Sequence, residues 1–343
     1  MSRAILMTAM WCLAGCSSGG GGGGEPAAPQ PGDAPAAAAE PAAPAAKRKI
    51  AVIPKGTTHE FWKSVHAGAN KAGQELGVEI IWKGPVREDD RDEQVKVVES
   101  FIAAGVDAIV LAPLDDTALV PPAKDATREK IPVVIIDSDL QWDGRTSFVA
   151  TDNHQGGAKA AERLGELLGG KGKVVVLRYQ EGSASTMKRE AGFLETVAAK
   201  FPDIEIVSSN QYGGATTESA YKTSENLLVS HEDVDGIFCP NESTTFGMLR
   251  ALQDAKRAGE VKLVGFDSSA KLVEALGKGE LHGLVLQNPF RMGELGVKTA
   301  LAKLDGKAVE ARIDTGVGVA TKENMAEPAM RELLSPDLSK WLK

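Results

Sequence analysis

The chain has 343 residues, and 39 Lys and Arg stand against 47 Asp and Glu for a net charge of −8. With no basic block, few aromatic residues and no zinc-spaced cysteines, this acidic balance argues against a nucleic-acid partner. Three cysteines make no disulfide framework, and no internal apolar stretch approaches the roughly 20 residues a membrane span needs.

Arg3 supplies a positive start, an apolar stretch runs over residues 5–13, and Leu13-Ala14-Gly15-Cys16 follows. This stretch is too short to span a bilayer and reads as an export signal over 1–15, removed on processing. The Leu-Ala-Gly-Cys sequence resembles the bacterial lipobox, which implies lipid on Cys16 and a membrane-anchored lipoprotein on the periplasmic side of the cell envelope. Residues 16–48 are mostly Gly, Ala and Pro, a composition with little to pack, and are predicted to form a tether. Cys12 would leave with the signal, and Cys239, at the end of an apolar run, reads as a small buried side chain. Roughly 295 residues remain, enough for two domains with developed cores.

From there apolar strands alternate with amphipathic helices. A strand over 49–54 lacks clean alternation, as expected of a parallel strand covered on both faces. Over 60–76, Phe61, Val65, Ala69, Ala72 and Leu76 share a helical face, and Gly77 ends it. Strands are predicted at 78–82, 106–112, 131–137 and 146–150, with helices at 89–104 and 119–129. After a helix over 158–168 the scheme repeats: strands at 173–178, 204–208, 235–240, 261–267 and 281–287, helices at 187–200, 216–231, 243–258 and 269–277. A helix over 292–304 and a strand near 311–319 complete the set, and the tail after 324 adds no sheet.

The replay is visible in the residues. Val106-Asp107-Ala108-Ile109-Val110-Leu111-Ala112-Pro113 returns as Val234-Asp235-Gly236-Ile237-Phe238-Cys239-Pro240-Asn241, and Pro132-Val133-Val134-Ile135-Ile136-Asp137-Ser138 as Lys262-Leu263-Val264-Gly265-Phe266-Asp267-Ser268. The fold class is therefore α/β, with two similar doubly wound parallel-sheet lobes. The predicted lobes are 49–151 with 288–314 and 152–287 with 315–325, joined by a three-segment hinge and followed by a tail over 326–343.

In open α/β sheets ligands sit beyond the carboxyl ends of the strands, and matched polar residues fall there. Asp137 and Asp267 end the fourth strand of each lobe, and Asn241 ends the third strand of the second, opposite Pro113. Residues 55–62 follow the first strand, residues 181–189 with Arg189 lie in the second lobe, and Asp152 and Gln287 fall near the crossings. Each has a plainer reading: Asp137, Asp267 and Asn241 as helix N-caps, Phe61 and Trp62 as core, Lys55 as a solvated side chain. Their convergence on one cleft favours a site. The chemistry suits a polyol, since Asp, Asn and Arg pair with vicinal hydroxyls and an aromatic face covers the C–H side of a ring.

These stretches resemble the periplasmic sugar-binding proteins of the ribose-binding, type I family, which share the LacI-like effector fold and serve as solute receptors of ABC importers. The likeness covers about 49–324 and rests on His59-Glu60-Phe61-Trp62, Thr151-Asp152-Asn153, Arg189-Glu190-Ala191-Gly192-Phe193, Pro240-Asn241-Glu242, Gly247-Met248-Leu249-Arg250-Ala251-Leu252, Val264-Gly265-Phe266-Asp267 and Gln287. It implies a monomeric receptor without a cofactor that takes a monosaccharide or polyol and docks on the permease and ATPase subunits of an importer. The ligand set it implies is Lys55, His59, Phe61, Trp62, Asp137, Ser138, Arg189, Asn241, Asp267 and Gln287. Aromatic residues would sandwich the ring and polar ones would bind its hydroxyls.

The departures point away from ribose itself. Ribose binders usually carry a small hydroxyl residue where Lys55 stands, Asn where His59 stands, and Asp-Arg where Asp137-Ser138 stands. Lys55 is open to three roles: a hydroxyl donor, a partner of Glu60 or Asp137, or a partner for an acidic sugar's carboxylate. A sensor that presents its closed form to a chemoreceptor or histidine kinase is the alternative use of the same lobes. A carbohydrate-active enzyme is the other rival. No Gly-x-Ser-x-Gly elbow, Walker loop or His-Glu-x-x-His signature appears, so no catalysis is expected.

Overall fold

A computed structural model of the chain describes residues 21–24 and 47–342. The expected signal over 1–15 and the lipidation position Cys16 lie outside the described residues, as does the tether apart from 21–24 and 47–48.

Strands β1 (Lys49–Ile53), β2 (Glu79–Trp82), β3 (Ala108–Leu111), β4 (Val133–Ile136) and β5 (Ser147–Ala150) build one sheet. A second is built by β6 (Lys171–Arg178), β7 (Asp203–Tyr212), β8 (Gly236–Phe238), β9 (Lys262–Phe266) and β10 (Gly283–Leu286). The sixth strand of each comes late in the chain, β11 (Arg312–Asp314) for the first and β12 (Gly318–Ala320) for the second. The sheet orders are β11-β5-β4-β3-β1-β2 and β12-β10-β9-β8-β6-β7, the same winding twice. Every pairing is parallel except β10 with β12. The connecting helices are α1 (Glu60–Leu76), α2 (Arg91–Ala103), α3 (Val120–Arg128), α4 (Asn153–Leu168), α5 (Ala184–Lys200), α6 (Thr217–Ser230), α7 (Glu242–Asp254), α8 (Ala270–Lys278), α9 (Pro289–Leu304) and α10 (Pro328–Leu334).

The continuous apolar runs are strands buried on both faces. Ala51, Ile53, Ile109, Leu111, Val133 and Ile135 feed one core layer of the first lobe, while Ile50, Val52, Ala108, Val110, Val134 and Ile136 feed the other. The second lobe divides in the same way, with Val175, Leu177, Ile237 and Leu263 on one side and Val174, Val176, Phe238 and Val264 on the other. Each fully buried Val, Leu, Ile or Phe among them contributes about 1.5–3 kcal/mol. Cys239 lies wholly inside the first of those second-lobe layers, where burial pushes its thiol pKa up.

Each lobe clamps one helix pair through close backbone approach. A Cβ on Gly68 would meet the Phe290 carbonyl oxygen at 1.9 Å, and one on Gly157 would meet that of Arg189 at 1.9 Å. These contacts lock α1 against α9 and α4 against α5, which fixes the helix starts that face the junction.

The chain crosses between sheets at Thr151, after β10, and between β11 and β12. The crossings are bonded together: Thr151 Oγ1 lies 3.3 Å from Thr315 Oγ1, and Arg312 donates to the carbonyls of Ala150 at 2.7 Å and Thr151 at 3.0 Å. The single strand expected over 311–319 is two short ones, because Gly316, with φ +87°, turns the chain from one sheet to the other. Helix α4 starts five residues before the expected 158, as Asp152 accepts from the Gln155 N–H and caps a polar first turn that carries no apolar period. The tail touches both lobes, through Ser268 Oγ donating to the Leu333 carbonyl at 3.3 Å and Asn70 Nδ2 to that of Trp341 at 2.9 Å.

Candidate functional site

The carboxyl ends of both parallel sheets face one junction, and the loops that follow them line a cavity of about 30 Å³. Lys55, His59, Phe61, Trp62 and Asp137 enter from the first lobe, and Arg189, Asn241, Asp267 and Gln287 from the second. Nine of the ten sequence-predicted residues therefore meet. Ser138 stands just behind them, its Oγ accepting the Ser185 N–H at 3.0 Å. Asp152 caps α4 instead.

Asp137 and Asp267 both sit in the left-handed region, with φ 60° and 68°. Such a conformation is uncommon for a residue with a Cβ and costs on the order of 1–3 kcal/mol, a strain that concentrates at functional sites. Neither serves as a helix cap. Asp137 Oδ2 pairs with Lys55 Nζ at 3.0 Å; Asp267 accepts from Gln287 Nε2 at 2.8 Å and from the Glu242 N–H at 3.2 Å. Asn241 does both jobs, lining the cavity while its side chain accepts the Thr244 N–H to cap α7. Phe61 and Trp62, edge to face with centroids 4.8 Å apart, also serve two ends, since they belong to the first-lobe core.

Lys55 is buried, and of its three open roles the geometry supplies pairing with Asp137. Its ammonium also donates across the junction to Ser185 Oγ at 3.0 Å and Ser183 Oγ at 3.2 Å. Glu60 pairs with Lys63 instead. Arg189 lies over Phe266, its guanidinium carbon 4.1 Å from the ring centroid, and donates to Asn153 Oδ1 at 2.8 Å and the Pro240 carbonyl at 2.9 Å. Its Nη2 lies 3.8 Å from Asp137 Oδ1 and is buried without a hydrogen-bond partner, and Gln287 Oε1 likewise accepts no hydrogen bond. A buried donor and a buried acceptor without hydrogen bonds each cost about 1–3 kcal/mol, a cost that a hydroxyl group bonded to either would relieve.

Five further residues line the cavity: Glu88, Tyr179, Ser185, Thr186 and Glu242. Ser185 and Thr186 fall inside the 181–189 stretch, and Glu242 inside Pro-Asn-Glu. Tyr179 follows the carboxyl end of β6, where the strand-end rule points. Glu88 lies in the loop after β2, whose only sequence signal is the Gly84-Pro85 break.

The charges are mutually set. Burial disfavours the His59 imidazolium, but the Glu88 carboxylate 2.5 Å away outweighs it and holds the pKa at about 9. Burial likewise opposes the Glu88 carboxylate, yet His59, Lys55 and the Tyr179 hydroxyl bring it down to about 2. Burial raises Glu242 to about 7 and pushes Asp267 up against the pull of Arg189. Among the described residues no cluster of three or more His, Cys, Asp or Glu side chains is arranged to hold a metal ion.

Known proteins share this plan. The D-ribose/D-allose-binding protein of Pseudomonas aeruginosa is 30% identical, over 78% of this chain and 86% of that protein. A carbohydrate transporter solute-binding protein from Agrobacterium radiobacter, solved with D-arabinose, has a TM-score of 0.82 at 34% identity, covering 85% of this chain and all of that one. An ABC transporter solute-binding protein from Agrobacterium vitis, solved with D-fucose, has a TM-score of 0.80 at 38% identity, covering 83% and 99%. Residues 50–308 match the family described as periplasmic binding protein domain, so with its two wound lobes and shared strand-end cavity the chain belongs to the periplasmic binding protein family.

Proposed function

We propose that this protein is an extracytoplasmic receptor that captures a small neutral sugar or polyol between its lobes and delivers it to the permease and ATPase subunits of an ABC importer. The observation that carries this reading is the convergence of polar and aromatic side chains from both lobes around Arg189 Nη2 and Gln287 Oε1, each buried and without a hydrogen bond. In this reading the lobes are 49–151 with 288–314 and 152–287 with 315–325, rotating about the three crossings. Phe61 and Trp62 cover the ring, while Lys55, His59, Asp137, Arg189, Asn241, Asp267 and Gln287 meet its hydroxyls, with Ser138 supporting from behind.

The basic groups favour a neutral ligand because each already faces a carboxylate: Lys55 faces Asp137, His59 faces Glu88, and Arg189 lies 3.8 Å from Asp137 and 4.0 Å from Asp267. An acidic sugar would find no spare positive charge. Lys55, Asp137, Arg189 and Asp267 face one another across the cleft, so in this reading a sugar enters as the lobes part and these side chains exchange partners. The relatives' sugars, D-ribose or D-allose, D-arabinose and D-fucose, are all uncharged. Lipid on Cys16 would hold the monomer at the membrane, and a Cys16→Ser chain should lose fatty-acid labelling.

A thermal-shift screen over pentoses, hexoses, deoxyhexoses, inositols and uronic acids, followed by calorimetry on the hits, tests the function. Neutral sugars should bind and uronic acids should not. Binding of no sugar in the set would overturn the receptor reading, and preference for a uronic acid would overturn the neutral ligand.

A further inference from the structure

We propose that Glu88 is a positioning residue that aims His59 and Trp62 at the ligand and ties them to the opposite lobe, so that one carboxylate links ligand selection to closure. The inference rests on the receptor reading above. Glu88 Oε1 accepts from the Trp62 indole N–H at 2.6 Å and faces His59 Nδ1 at 2.5 Å. Its Oε2 accepts the Tyr179 hydroxyl at 2.6 Å from the second lobe, and its backbone carbonyl accepts Gln180 Nε2 at 3.0 Å. A fixed acceptor beneath two ring donors removes their rotational freedom, which is how a supporting residue sharpens a binding site.

The surroundings are built to admit this one group. Glu88 is buried, and a Cβ on Gly56 would meet its Cγ at 2.8 Å, so the loop after β1 leaves room for it. A buried carboxylate without partners would be costly, but here three side-chain donors satisfy it. Parting the lobes breaks only the Tyr179 and Gln180 bonds and leaves His59 and Trp62 held. Closure therefore completes the carboxylate's shell.

The charged groups facing His59 are Glu88, Glu242 and Asp267; those facing Glu88 are His59 and Lys55, the latter paired with Asp137. In Glu88→Gln the imidazole loses its nearest anion, so its titration should fall from about 9 toward the ordinary 6.5. Two measurements on the full chain decide. The His59 titration followed by NMR without sugar should move down as stated. The ratio of variant to wild-type Kd for whichever neutral sugar binds best should be about 30 or more at pH 8 and shrink several-fold by pH 5, as His59 regains its proton.

A ratio constant with pH, or an unmoved imidazole titration, would overturn the proposal, since a residue that only stabilises the fold shifts neither. Should Glu88→Gln fail to fold, Tyr179→Phe removes a single hydroxyl and should weaken binding about tenfold with the His59 titration still high; unchanged affinity would overturn the link to closure. A wild-type chain that binds no sugar would sink the receptor reading alone, because the titration is read without ligand.

Discussion

Closing the lobes should take up a proton at Glu242. Its carboxylate, from the second lobe, accepts the N–H of Phe61 at 3.2 Å and of Glu60 at 3.3 Å in the first turn of α1. That helix lacks a cap of its own, since His59 at the N-cap makes no side-chain bond to it. Burial raises the Glu242 carboxyl from the ordinary 4.5 to about 7, more than His59 and these N–H groups bring it down. Parted lobes return it to water and to its ordinary value. A pKa raised in the closed form favours closure fully below 4.5 and loses that effect as pH rises through about 7. Between those two values, closure takes up about 0.5 proton at pH 7, about 0.9 near pH 5.8 and almost none at pH 9. The same linkage tightens sugar binding about 30-fold from pH 8.5 to 5.5. His59, held near 9 beside Glu88 of its own lobe, stays protonated at pH 7 and adds little there. Calorimetric titrations at pH 7 in buffers of different ionisation enthalpy report the proton number as a slope. Glu242→Gln keeps an oxygen acceptor for α1 and should flatten that slope. A flat slope in the wild type, or an unchanged one in the variant, would refute the reasoning.

Asp267→Asn tolerates the left-handed backbone but leaves Arg189 short of a counter-charge, so calorimetry should show at least a hundredfold loss of affinity with a small change in Tm. Asn241→Ala should lose binding and also about 1 kcal/mol of stability through the lost α7 cap, read by denaturant titration. Gly157→Val would drive a side chain into the Arg189 carbonyl and should cost more than about 3 kcal/mol, visible as a large fall in Tm. Asn70→Ala releases the Trp341 carbonyl, so hydrogen exchange over 336–342 should rise while sugar affinity stays within about twofold.

Much of the fold was legible because both halves repeat the same apolar words at strand ends, and parallel strands buried on two faces need no alternation to be recognised. Helix starts were harder. Polar first turns such as Asn153-His154-Gln155 carry no period and are marked only by their cap. The site was legible where it lay on the repeat, as with Asp137 and Asp267. Glu88 was not, because it sits in a loop outside the two repeated sequence stretches and matters through three-dimensional donors on Trp62, His59 and Tyr179. Lys55 needed coordinates, since its residue type alone left open a hydroxyl contact, a carboxylate partner or an acidic ligand until Asp137 was seen beside it.

Cys239 is sealed inside the second lobe, and it is the only thiol among the described residues. Protein produced from residue 47 onward therefore offers no accessible native thiol to a thiol-reactive dye. A single cysteine placed on the cleft rim would carry a fluorophore alone, turning the receptor into an optical gauge whose signal follows the sugar in real time.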